Sequence, residues 1–163
     1  MIREAKKADI PAIYDLAVKT WKITYPSIIS NEQIDYMIEK MYSKEKLNEV
    51  IEKEKFNFLL FEIENQLVGF CSIEHNYNNE AITRIHKLYV DPEVQGKKIG
   101  QQLLANTQVL AVKNNSNKLH LNVNKKNPAV NFYFKQDFSV EREEVLDIGN
   151  GFVMDDYVMI KEI

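Results

Sequence analysis

The sequence predicts an α/β (α+β) fold in which helices cover a mixed sheet, and three observations carry that expectation. The hydrophobic pattern changes period along the chain, from spacings of three and four in the first part to β-branched and aromatic strand-like runs after Phe56. The elements then follow in the order strand, helices, three strands, helix, strand, helix, two strands. Between them, Ile85 to Leu104 reads as strand, tight loop and helix, the unit around which the rest is organised.

Met1 to Ala5 is a short apolar and polar alternation suited to a strand. Asp9 can cap a helix whose first turn holds Pro11. Ile10, Ile13, Tyr14, Leu16, Ala17 and Trp21 give that helix a broad apolar face, and it ends near Tyr25-Pro26 because a residue before proline is pushed out of the α region. Ser30 and Asn31 are candidate caps for a second helix carrying Ile34, Met37, Ile38 and Met41. Ser43 restarts the helix over Lys44 to Lys55, a charged run with Leu47, Val50 and Ile51 on one side. Phe58 to Ile63 and Leu67 to Glu74 are strands around a turn at Glu64-Asn65, with Gly69 marking a bulge or a close backbone approach. The polar stretch from His75 to Glu80 is a loop. A strand from Ala81 is stopped by Asp91-Pro92, since proline has no N–H for a ladder. A helix starts near Lys98, with Leu103, Leu104, Thr107, Leu110 and Ala111 as its stripe, and runs to about Lys113. Lys118 to Val123 is a strand, and Asn127 and Pro128 open a short helix reaching Asp137. Phe138 to Val145 and Gly151 to Ile160 are strands around a turn at Ile148-Gly149-Asn150-Gly151.

The chemical feature is the start of the helix after Gly96. Unpaired N–H groups at a helix start, preceded by a glycine-containing turn, form a concave anion site that the helix dipole reinforces. A structural turn between strand and helix uses the same residues, so the site has two readings at this point. At 163 residues and 45% hydrophobic the chain suits one domain over 1–163. A net charge of −3 offers no basic surface for nucleic acid and fits cationic partners better. The single cysteine, Cys71, lies in an apolar run and excludes an internal disulfide. No metal-ligand cluster, export signal or membrane-length apolar run is read, so a cytoplasmic protein is expected.

Leu88-Tyr89-Val90-Asp91-Pro92 followed by Gln95-Gly96-Lys97-Lys98-Ile99-Gly100 resembles the acyl-CoA-binding motif of the GNAT superfamily of N-acetyltransferases, written Q/R-x-x-G-x-G/A. Lys98 stands where the middle glycine belongs. Asn127-Pro128-Ala129, Phe132-Tyr133 and Asp137-Phe138 are similar to the family's second motif, with Asp137 in the place of a glycine whose left-handed conformation aspartate tolerates. The order of elements is also that of the family, whose sheet is mixed and mostly antiparallel, of about seven strands flanked by helices.

The resemblance implies transfer of an acetyl group from acetyl-CoA to a primary amine by direct attack in a ternary complex, without a metal. Backbone amides from Gln95 through Gly96, Lys97, Lys98, Ile99 and Gly100 to Gln101 would hold the pyrophosphate, Lys98 as a helical residue still offering its N–H. Leu88, Tyr89 and Val90 would bind the pantetheine arm, with Asn127 and Tyr133 also at the cofactor. Three groups are needed: an oxyanion donor, matched by the Val90 N–H; an acid for the thiolate, matched by Tyr133; and a base for the amine. His86 is the candidate base. Strict alternation puts it on the face of Leu88 and Val90, and an imidazole pKa of about 6.5 suits the task; solvent or Glu74 is the other reading. Trp21 and Tyr25, four apart on one helix, resemble the aromatic pair of the acceptor pocket and can meet an ammonium by cation–π contact, with core packing the other reading of Trp21.

Asp147-Ile148-Gly149 through Asp155-Asp156-Tyr157 and Met159 looks like the end of the polyamine acetyltransferase subgroup, where acidic residues meet a polycation. The acceptor is a small-molecule amine, a polyamine or a peptide, with no nucleic acid or membrane partner. A homodimer is expected because Gly151 to Ile160 is long for a free apolar edge. Lys98 leaves two alternatives, a catalytically silent coenzyme A-binding module of the same fold and an interaction domain without nucleotide.

Overall fold

A computed structural model describes residues 1–54, 56–94 and 96–163. Among them seven strands form one sheet: β1 (Ile2–Glu4), β2 (Phe56–Ile63), β3 (Gln66–Glu74), β4 (Ile82–Val90), β5 (Lys118–Asn124), β6 (Ser139–Gly149) and β7 (Phe152–Glu162). The spatial order is β1-β2-β3-β4-β5-β7-β6, and every neighbouring pair is antiparallel except β4 with β5. The mixed, mostly antiparallel sheet inferred from the sequence is therefore present. The helices are α1 (Ile10–Thr24), α2 (Asn31–Tyr42), α3 (Lys44–Glu52), α4 (Ile99–Lys113) and α5 (Ala129–Phe134).

Local chemistry accounts for most boundaries. Ser30 and Ser43 accept from the backbone N–H of Gln33 and Lys46 at 3.1 and 3.3 Å, so each caps its helix. Asp9 does not cap α1. Its carboxylate takes two hydrogen bonds from Arg3, both at 2.8 Å, and one from Lys6 N at 2.7 Å, which closes the single turn before the helix. After α5 the chain turns away through Asp137 at φ +65°, and Phe138 N donates to Tyr133 O, the wrap of a left-handed C-terminus.

The sheet separates two cores. α4 and α5 cover one face, over Leu59, Cys71, Ile85, Leu103, Leu121 and Tyr133. α1, α2 and α3 cover the other, over Ile13, Trp21, Tyr42, Leu60, Phe70 and Met154. Gly69 explains how closely α4 lies on the sheet, because a Cβ there would stand 3.0 Å from Ile99 Cγ2 and 3.1 Å from Tyr89 O.

Three expectations change. The register of β3 on β4 slips between Ser72 and Ile73, which pair with Lys87 and Ile85. This bulge breaks strict alternation. Ile85, Leu88 and Val90 all turn toward the α4 core, while His86 stacks on Phe56 and Lys87 lies over Tyr42 on the opposite face. His86 does not share a face with Leu88 and Val90. The strand expected to end at Val145 continues to Gly149 as β6, because Asn150 and Gly151 at positive φ supply a two-residue turn. Finally, Gly151 to Ile160 is not a free edge, since β7 lies between β5 and β6. The edge on this side of the sheet is β6, guarded by Glu141, Arg142 and Glu143, so the reason given for a dimer falls away.

Candidate active site

β4 and β5 pair only from Ile82–Lys118 to Ile85–Leu121. Beyond that point both strands continue, to Val90 and Asn124, without a partner in each other. The β4 bulge lies where the parallel ladder stops, and the added twist of a bulge is a sufficient cause for the parting. A cleft of about 220 Å³ occupies the opening, lined by Leu88 and Tyr89 on one arm, Val123 and Asn124 on the other, and Tyr25 and Tyr133 between.

The backbone phase of β4 can be worked out. Asp91 N donates to Val68 O at 2.8 Å, in register with the pairs Gly69–Val90, Phe70–Tyr89 and Cys71–Leu88. Antiparallel pairs alternate between hydrogen-bonded and not. Asp91 and Tyr89 therefore point their backbone groups at β3, and Val90 and Leu88 point theirs away, into the gap that β5 has left. The Tyr89 side chain goes to the other core, with its ring 6.3 Å from Tyr42.

The turn that follows has unusual backbone geometry. Gly96 has φ +88°, and Lys98 sits at φ 58°, ψ 22° as the residue preceding α4. Lys98 is thus left-handed rather than helical. It makes no side-chain cap, and a lysine has no acceptor to offer. The N–H groups of Ile99, Gly100 and Gln101 lie in the first helical turn, with no intrahelical acceptor. Lys97 and Lys98 are exposed beside them. A Cβ on Gly100 would meet Phe132 Cζ at 3.3 Å and Val90 Cγ2 at 3.7 Å, which sets this first turn against the end of β4 and the start of α5. The expectation for Gln95 lies outside the described residues. Lys19 of α1, which the sequence reading missed, ties this loop down through Asp91 and Glu93, at 2.8 Å each.

Tyr133 is 7% exposed and edge-on to Phe132 and Phe138. Burial, with Cys71 and Tyr25 nearby, pushes its pKa well above 10, so the phenol is protonated throughout the physiological range. Asn127 Oδ1 accepts from Ala129 N at 2.9 Å and its Nδ2 donates to the Tyr25 hydroxyl at 3.2 Å, joining the start of α5 to the end of α1. Trp21 and Tyr25 stack at 4.2 Å, and the indole N–H donates to Tyr42 at 3.4 Å. Both residues line the cleft, packed as part of the core: Trp21 is 2% exposed and Tyr25 covers one of its faces.

On the α1–α3 face His86 lines the cleft, and its Nε2 meets Glu74 Oε2 at 2.7 Å. Burial lowers the imidazole pKa to about 4 against the pull of Glu74, with Arg84 and Lys87 adding to the fall. Its ordinary pKa was the stated reason for a base role, and that reason is replaced. The ring is neutral near pH 7 with a carboxylate behind it. Glu74 is buried behind His86. Lys87 is buried with its ammonium 5.3 Å from the Tyr42 ring centre, and desolvation lowers its pKa to about 8. His120, Asn122 and Asn124 extend this polar floor along β5, opposite the apolar Leu119, Leu121 and Val123. That alternation was visible in the sequence and would have located the floor, whereas Lys87 owes its place to the bulge. Among the described residues, no group of three or more His, Cys, Asp or Glu side chains is placed to hold a metal ion.

A family profile described as "Acetyltransferase (GNAT) domain" matches residues 27–159. A spermidine N(1)-acetyltransferase of Thermoplasma acidophilum is 32% identical over 159 residues, covering 94% of this chain and 94% of its own length. The crystal structure of the PaiA N-acetyltransferase of Thermoplasma acidophilum in complex with coenzyme A superimposes with a TM-score of 0.86 at 28% identity, over all of this chain and 98% of the other. A GCN5-related N-acetyltransferase structure from Rhodopseudomonas palustris reaches 0.85 at 19% identity over 100% and 95% of the two chains, a likeness of fold.

Proposed function

The chain belongs to the GNAT acetyltransferase family, and we propose that it moves an acetyl group from acetyl-CoA to a primary amine by direct attack in a ternary complex. The observation that carries this reading is the gap between β4 and β5, into which the free backbone groups of Leu88 and Val90 point beside the uncapped start of α4. Bound acetyl-CoA supplies an activated thioester there. The residues present suit it: the N–H groups of Ile99, Gly100 and Gln101 hold the pyrophosphate, and the exposed ammonium groups of Lys97 and Lys98 add charge. Leu88 and Val90 bind the pantetheine amides through the main chain, and Asn127 fixes the start of α5 so that Tyr133 closes the cleft.

Each proton then has a holder. The Val90 N–H donates to the carbonyl oxygen as negative charge builds on it. Tyr133, buried and protonated, gives its proton to the departing sulfur. His86 takes the proton of the attacking amine, directly or through water, and Glu74 at 2.7 Å stabilises the imidazolium that forms. The amine comes from the α1–α3 face, past Tyr25, so donor and acceptor enter from opposite sides of the sheet. The 32% identity to a spermidine acetyltransferase supports a polyamine-like acceptor.

The test is calorimetric binding of acetyl-CoA, together with thiol release in the presence of spermidine, amino acids or short peptides. Binding with release for an amine is the expected result. Absence of binding overturns the cofactor assignment, and binding without release for any amine leaves a silent module.

A further inference from the structure

The polar floor of the cleft holds one buried carboxylate that the reaction above does not use. Asp156 of β7 is 6% exposed, pairs in register with Asn124 of β5 and Glu144 of β6, and lines the cleft with Tyr25, Leu146 and Met154. Asn122 Nδ2 donates to Glu144 Oε2 at 3.0 Å and to Asp156 Oδ2 at 3.4 Å. The Oδ1 atoms of Asp156 and of Asn122 are both buried without a hydrogen-bond partner among the described residues. The Arg84 guanidinium lies 4.9 Å from the Tyr77 ring centre with Nη1 3.0 Å from His120 Nδ1, and its buried Nε, also without a partner among the described residues, makes no hydrogen bond to Asp156. A buried carboxylate oxygen with no donor is expensive, so a site built this way is completed by a donor from outside.

We infer that Asp156, with Asn122, docks a second ammonium group of the acceptor. The inference rests on the acetyl-transfer reading and names the substrate class within it. An ammonium brings N–H donors and a positive charge without an acceptor, the complement of two unpaired oxygens and a carboxylate. An anion is repelled there, and a hydroxyl or amide leaves the charge unmatched.

The spacing sets the length of the molecule. The bulge takes up one residue of β4, so continuing from Ile85–Leu121 brings Leu88 level with Val123 and Tyr89 level with Asn124, and hence with Asp156. Asp156 therefore stands across the gap from the arm that ends in Val90, two strand spacings away, or about 10 Å before the strands part. One amine cannot lie at both places. An acceptor with amines separated by three or four methylenes spans them, with its reacting end at Val90 and its charged end at Asp156. The class is a linear diamine or polyamine.

Burial first, then Glu144 and Asp155, raise the Asp156 carboxyl to about 6, while Asn122 and Arg84 hold it down. The dock is ionised at pH 7 and is neutralised just below pH 6. The charged or titratable groups around it are Tyr25 of α1, Arg84 of β4, Glu144 of β6 and its neighbour Asp155, with His120 held by Arg84.

The experiment is calorimetry with butane-1,4-diamine and with butylamine, on the wild type and on Asp156→Asn, each saturated with coenzyme A. The expected result is a diamine affinity roughly 10- to 100-fold weaker in Asp156→Asn, the size of a lost charge-assisted hydrogen bond, with butylamine moving less than about two-fold. In thiol-release assays the loss appears in KM for the diamine. Asn122→Ala, which removes the second oxygen, weakens diamine binding by a smaller factor and repeats the test if Asp156→Asn melts early. The inference is overturned if the wild type prefers neither amine, if Asp156→Asn binds the diamine as well as the wild type, or if both amines weaken equally. Diamine binding that depends on Asp156 without any thiol release would overturn the transfer reading and leave the dock standing. Thiol release with no preference for diamines does the reverse.

Discussion

Lys98 offers a direct test of the turn geometry, through the pair of substitutions Lys98→Gly and Lys98→Ala. At φ 58°, ψ 22° the residue occupies the left-handed region, and its side chain is exposed. A non-glycine residue in that region costs about 1–2 kcal/mol. Glycine removes this cost but makes the unfolded chain freer by about 0.4–1 kcal/mol. At mid-range the difference leaves Lys98→Gly more stable than Lys98→Ala by about 0.8 kcal/mol, and at most by about 1.6 kcal/mol, each 1 kcal/mol being roughly 2–4 °C in Tm for a chain of this size. Both variants lose the same ammonium, so both should bind coenzyme A a few-fold more weakly at low salt, and the deficit should shrink as salt rises. Thermal melts of the three proteins read the first effect, and calorimetry at two ionic strengths reads the second. A glycine variant no more stable than the alanine variant would refute the left-handed assignment. Coenzyme A affinity that ignores both substitutions at low salt would remove Lys98 from the cradle.

Tyr133→Phe should lower kcat by roughly 100-fold or more with little change in KM for acetyl-CoA, the scale of a lost general acid; an unchanged kcat would remove Tyr133 as the acid. His86→Gln should cut turnover by roughly ten-fold or more at neutral pH, and the wild-type imidazole, titrating at about 4, contributes no step of its own between pH 5 and 7; an unchanged turnover would remove His86 as the base. The same depression has a stability consequence: between about pH 6.5 and 4 the unfolded chain takes up protons that folded His86 and His120 do not, so stability present above pH 6.5 is lost as pH falls. Asp156 acts in the opposite sense from about pH 6 downward, since its folded form holds the proton more tightly. Melting temperatures at pH 7 and 5 should accordingly fall less in His86→Gln than in the wild type and more in Asp156→Asn, and parallel slopes would contradict both. Gly69→Ala forces a Cβ to 3.0 Å from Ile99 and 3.1 Å from the Tyr89 carbonyl and should cost about 1–3 kcal/mol by chemical denaturation.

The parts of the fold set by local chemistry were legible. Proline at the start of α1, serine before α2 and α3, Asn127 before α5, and Asn150-Gly151 between β6 and β7 each fix a boundary through the backbone of a few neighbours. The Lys98 position was legible as a motif, yet its conformation was not, because a lysine adopts φ 58° only under the constraint of the chain on both sides. What the sequence did not carry was pairing between distant strands. Whether Gly151 to Ile160 forms an edge depends on β6 folding outside it, and a free-edge reading failed for that reason. The bulge was equally hidden, since it is a property of two strands in register and neither shows it alone.

That bulge has the largest chemical consequence of anything the sequence concealed. With unbroken alternation, His86 would share the α4 face with Leu88 and Val90, and the base would stand on the side from which the cofactor arrives. The slipped register instead turns His86 and Lys87 together toward α1–α3 while Leu88 and Val90 keep their side chains in the α4 core and their backbone groups in the gap. In the proposed mechanism acid, oxyanion donor and cradle therefore fall on the end of β4 and the two helices after it, and base and ammonium dock on the opposite floor. The thioester and the amine can meet only through the opening between β4 and β5. Deleting one residue of the bulge should test this separation more severely than any side-chain change. It should keep a folded protein with slower turnover, as read by circular dichroism and thiol release. Full activity in that variant would mean that the side of the sheet on which the base stands does not matter.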